Sequence, residues 1–83
     1  MSTTQTEVRS MLLDLFREAG FDPSDLADET RLREDLGVDS TELVEIAVAI
    51  ERRLPVRVDG EALVALDTFG EIVGFVDSAP PKR

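Results

Sequence analysis

The sequence predicts an all-α fold: a small four-helix bundle with a long loop between helices one and two and a short third helix. Three observations carry that expectation. Apolar residues recur at three- and four-residue spacing in three separate segments, the mark of amphipathic helices. Pairs that cap helix starts stand at Thr4 and Glu7, Asp39 and Glu42, and Thr68 and Glu71. With four Phe and neither Trp nor Tyr among 83 residues, the core must be Leu, Val, Ile and Ala, which suits packed helices better than an aromatic-anchored sheet. A chain this short makes one domain, expected over residues 1–78. Residues 79–83, APPKR, offer no apolar group larger than Ala and are expected to be a flexible tail.

The first helix is expected over residues 5–19, where Val8, Leu12, Leu15, Phe16 and Ala19 share one stripe and Gly20 supplies the stop. Residues 21–38 contain Pro23 and no sustained period. Even so, Phe21, Leu26, Leu32, Leu36 and Val38 recur often enough to peg the segment to a core. An ordered loop of this length is uncommon and usually functional. The helix over residues 40–54 has the clearest bounds, with Asp39 as cap, Glu42 as its reciprocal partner and Pro55 forbidding continuation. At about 100° per residue its core face holds Leu43, Ile46, Ala47, Ile50 and Leu54. Val44 and Val48 fall outside that face, beside Ser40 and Glu51, while Glu42 and Glu45 fan toward solvent. Two valines at a helix edge are ordinary surface residues; in line with Ser40 they also make a small apolar docking strip. Asp59 is placed to cap a short helix over residues 61–66 with Leu63 and Leu66 inward, and the last helix carries Phe69, Ile72, Val73 and Val76. Ala47, Ala49, Ala62 and Ala65 fit either close helix contacts or a space for an apolar guest chain, and both readings stay open.

Composition excludes several function classes. The chain has no His and no Cys, which removes the usual general base, the usual thiol nucleophile and the ligands of an ordinary zinc site. No catalysis is expected. A formal charge of −9 opposes binding to nucleic acid or to an anionic membrane. The partner it suits is a protein with a basic patch. Residues 28–51 hold eight acids (Asp28, Glu29, Glu34, Asp35, Asp39, Glu42, Glu45, Glu51) against Arg31 and Arg33, so −6 of the −9 is concentrated there. The bland reading is a solvated helix face; the sharper one is electrostatic steering toward Ser40. The N-terminus is polar and no stretch approaches the ~20 apolar residues of a membrane span, so a cytoplasmic monomer is expected.

Residues 35–54, DLGVDSTELVEIAVAIERRL, resemble the acyl carrier proteins, whose signature is Gly-x-Asp-Ser opening an acidic amphipathic second helix. The order long helix, long loop, signature helix, short helix, final helix extends the resemblance over residues 5–77. It implies a right-handed four-helix bundle in which the long loop delivers the serine to the surface. It also implies that Ser40 is the hydroxyl to which a phosphopantetheinyl transferase attaches 4'-phosphopantetheine from coenzyme A, and that Asp39 helps hold the transferase's Mg²⁺, with no metal in the free protein. By the same resemblance the arm's thiol carries an acyl or aminoacyl group to acyltransferases, ketosynthases or adenylating enzymes, which dock on Asp35, Thr41, Glu42, Val44, Glu45, Val48, Glu51 and Arg52. The residues themselves agree with this placement, because a phosphodiester on Ser40 would sit beside unpaired N–H groups at the positive end of the helix dipole. Asp and Ser are also common caps for stability alone, so the dipeptide gains meaning from the turn, charges and helix order around it.

Two departures from the family's pattern stand out. Thr41 occupies a place usually held by Leu, and Glu51 is followed by Arg52 where a second acid is usual. Together they imply a restricted partner set and a dedicated carrier of specialised, polyketide-type metabolism. The Gly-Gly-His-Ser sequence common in peptidyl carriers is missing, though a discrete aminoacyl carrier stays open. The rival of another class is an unmodified helical interaction module that uses Val44 and Val48 to hold one basic partner.

Overall fold

A computed structural model of the chain describes residues 3–81, with side chains from Thr6 onward. Five α-helices follow one another: α1 (Thr3–Glu18), α2 (Leu32–Leu36), α3 (Ser40–Arg53), α4 (Gly60–Val64) and α5 (Phe69–Asp77). The four-helix plan is present as α1, α3, α4 and α5. The segment read as one long loop contains two further turns of helix, a 3₁₀ turn at Pro23–Asp25 and the single-turn α2. The principal pairings are α3 on α4 and α1 on α5. They close over a core of Val8, Leu12, Leu15, Phe16, Leu32, Val38, Leu43, Ile46, Ala47, Ile50, Val58, Leu63, Phe69, Ile72, Val73 and Val76. Phe16 stands edge-on to both Phe21 and Phe69, with ring centroids 6.1 and 5.9 Å away.

Each helix end has a local cause. Helix α1 is described from Thr3, and the capping expected of Thr4 rests on a side chain that lies outside the described ones. It ends where Gly20 reaches φ 104°: the Gly20 N–H returns to the Arg17 carbonyl and the Phe21 N–H to that of Phe16, with the two phenyl rings in contact across the turn. Helix α3 has the full reciprocal cap, Asp39 accepting from the Glu42 N–H at 2.9 Å and Glu42 from the Asp39 N–H at 3.4 Å. Asp59 caps α4 through the Glu61 N–H at 3.0 Å, and Thr68 and Glu71 cap α5 reciprocally. The N–H groups of Asp67 and Thr68 together hold the Glu71 carboxyl below its usual range. Leu63 is fully buried as expected; Leu66 packs only partly against the core.

The connection before α3 is ordered by backbone contacts that no sequence period reveals. Leu32 N–H donates to Asp67 O at 3.0 Å and Phe69 N–H to Thr30 O at 3.0 Å, tying the segment to the turn before α5. Buried Thr30 accepts from the Ala27 N–H and donates to Asp25 O. Gly70 donates to Asp28 O at 2.9 Å, an approach so close that a Cβ at position 70 would also lie 2.9 Å from that oxygen. Asp28 itself is paired with Arg9 of α1. At the other end of the molecule, Arg57 N–H donates to Pro80 O at 2.9 Å, and Val56 and Pro81 form a bridge. Of the segment expected to be a tail, residues 79–81 therefore lie along the α3–α4 connection; Lys82 and Arg83 lie outside the described residues.

Candidate functional site

Ser40 is the first residue of α3, and a glycine turn sets its position. Gly37 sits at φ 73°, where a side chain would strain the backbone; its N–H donates to Arg33 O, and the Val38 N–H to Leu32 O. Val38 is buried, so the chain is anchored one residue before Asp39 and then emerges. The Ser40 side chain is exposed, and its hydroxyl makes no hydrogen bond among the described residues. The N–H groups of Ser40 and Thr41 likewise have no protein acceptor, because Asp39 takes the N–H of Glu42 and, through its carbonyl, that of Leu43. An accessible oxygen thus lies beside two free N–H donors and the positive end of a 14-residue helix. That donor set fits a phosphodiester. It does not activate the hydroxyl, since Asp39 beside it is committed to its cap.

The expected docking residues divide into two groups. Thr41, Val44, Glu45, Val48 and Arg52 are exposed along α3, and Val44 and Val48, at 42% and 48% exposure, are the large apolar side chains left open among the described residues. Asp35, Glu42 and Glu51 have internal tasks as well. Asp35 accepts from the Arg31 N–H at 2.9 Å, Glu42 completes the cap, and the Glu51 carboxylate accepts from the Val58 N–H at 2.6 Å, fixing the chain between α3 and α4. Arg33 is a contributor that pattern reading missed: its guanidinium donates to Val64 O at 2.7 Å and so closes the end of α4 against α2. On the other flank of α3, Leu15, Ala19, Ile46 and Ala49 floor a groove against α1, rimmed by Glu18, Glu42 and Glu45. Ala47 is buried in the core; Ala65 lines a surface cleft with Arg33 and Glu61.

The family model described as "phosphopantetheine attachment site" matches residues 8–76. The chain is also 35% identical over 77 residues to the meromycolate extension acyl carrier protein of Mycolicibacterium smegmatis, covering 92% of this chain and 78% of that one. This chain belongs to the acyl carrier protein family. Among other acyl carrier proteins it is 36% identical over 77 residues to that of Rhodococcus erythropolis, covering 92% and 85% of the two chains, and 32% identical over 80 residues to that of Acidothermus cellulolyticus, covering 95% of each. An acyl carrier protein uses phosphopantetheine as its prosthetic group and holds acyl groups for biosynthetic enzymes, having itself a carrier's role and not a catalyst's. Phosphopantetheinyl transferases and the enzymes of acyl-chain building are the general partners of the family. No helix among the described residues is long and apolar enough to cross a membrane.

Proposed function

We propose that Ser40 is the attachment point and that the chain is a discrete carrier dedicated to one specialised, polyketide-type or lipid-extending pathway of the cytoplasm. The free Ser40 hydroxyl beside two unpaired N–H donors is the observation that carries the first part. The phosphopantetheinyl group passes from coenzyme A to Ser40 Oγ as the coenzyme's pyrophosphate bond breaks and adenosine 3',5'-bisphosphate leaves, and the serine proton must pass to a base on the transferase, because this chain offers none in reach. Asp39 keeps the helix start rigid and adds a carboxylate for the transferase's Mg²⁺. Once attached, the arm supplies a thiol that holds the cargo as a thioester. The acids around Ser40 then draw basic acyltransferases and ketosynthases to the site in turn.

The dedicated role rests on Thr41 and Arg52, which give the docking face a hydroxyl and a positive charge, and is supported by the likeness to carriers named for meromycolate extension. Incubation with a broad-specificity phosphopantetheinyl transferase and coenzyme A is expected to add one phosphopantetheine mass to the wild type and none to Ser40→Ala, with the helical circular dichroism of both unchanged. A second modified residue in Ser40→Ala, or an unmodified wild type, defeats the assignment.

A further inference from the structure

The geometry points to a charge-ordered docking ridge on α3: the enzyme that uses this carrier best offers an apolar seat for Val44 and Val48, a base facing Glu45 and an acid facing Arg52. The inference rests on the carrier reading and names the chemistry of its partner. Thr41, Glu45, Val48 and Arg52 lie within roughly 60° of one another around the helix, with Val44 on the flank toward α4. All five are exposed. Glu45 and Arg52 have no hydrogen-bond or ion partner among the described residues, whereas most of the other arginines do. Arg9 pairs with Asp28, Arg17 with Asp14, Arg31 with Glu34, and Arg33 caps α4. Arg53, one position beyond Arg52, turns to α1 and pairs with Glu18 at 2.7 Å. Arg52 is thus left exposed and without an ion partner, on the same side of α3 as the two open valines.

Gly60 keeps that ridge open from the side of α4. A Cβ at position 60 would stand 3.5 Å from Val44 Cγ2, so a longer side chain there would cover the valine that glycine leaves exposed. An apolar surface that seats Val44 and Val48 must also take water away from their charged neighbours. Desolvating Arg52 without a carboxylate opposite leaves an uncompensated charge, and a base opposite repels it. A partner surface that is basic throughout suits the acids near Ser40 yet is rejected at Arg52. Glu45 and Arg52 are seven residues apart, which sets the partner's base and acid about 10 Å from each other.

The test uses holo-protein charged by a broad-specificity transferase with acetyl coenzyme A, and measures acetyl transfer to the ketosynthases and acyltransferases encoded in its genome. For the enzyme with the highest kcat/KM on wild type, Arg52→Glu is expected to lower kcat/KM about tenfold through KM. Arg52→Lys, which keeps the charge, is expected to stay within about twofold. Arg52 is exposed and makes no hydrogen bond or ion pair in the fold, so neither substitution should change the helical circular dichroism. An Arg52→Glu effect below about twofold, or a faster reaction, overturns the ridge and leaves the carrier reading standing, since that reading fails only if the wild type takes no arm.

Discussion

Asp39 has two duties that one side chain can separate. Its oxygen caps α3 by accepting the Glu42 N–H, and its charge is the expected contribution to the transferase's Mg²⁺. Asn is as good a cap as Asp but a far poorer ligand for a hard divalent cation. Asp39→Asn is therefore expected to unfold within about 0.5 kcal/mol of wild type while the rate of phosphopantetheine transfer drops about tenfold or more. Equal rates for the two proteins would reduce Asp39 to a capping residue. At this scale the sequence was informative wherever a role depends on neighbours within a few positions. The start of α3 at Ser40, its cap at Asp39 and the two open valines could be read from wheel and spacing, whereas a role for Ser40 came only with the family resemblance. Glu51 could not, because its bond partner, the Val58 N–H, becomes available only when the chain turns back after Pro55.

Helix α2 shows the limit of pattern reading for elements. Its five residues, LREDL, are too few for a 3.6-residue period to register, and it is held by the contact of Leu32 N–H with Asp67 O, a partner far along the chain. By contrast α3, α4 and α5 announce their starts through Asp39, Asp59 and Thr68, whose caps are local chemistry. Residues 3–7 hold no apolar residue to mark α1, which is already helical two residues before the expected bound. The seam where Gly70 meets Asp28 is one of the contacts that hold residues 21–38 against the start of α5. Gly70→Ala forces a methyl against that carbonyl oxygen and is expected to cost about 1–3 kcal/mol in chemical denaturation. It should also speed amide hydrogen exchange in the connection before α3 more than in α1. An undiminished midpoint would show that the connection is held without this seam.

Across the whole molecule, acids gather around Ser40 while Arg52 and Arg53 close the far end of α3, about 20 Å away. Such a charge pattern acts on the rate of encounter and is screened by salt. Phosphopantetheine transfer to wild type should slow about tenfold between ~0.02 M and ~0.5 M salt, and Glu45→Lys should flatten that dependence. A rate indifferent to salt would mean that the acids only solvate the helix. Glu45 is the better probe than Glu51, since reversing Glu51 would also release the Val58 N–H. The pairing of Val56 with Pro81 has a practical corollary. It brings the chain out at the pole opposite Ser40, so a tether, support or neighbouring module joined after that point would hold the carrier from behind and leave the arm its full sweep toward visiting enzymes.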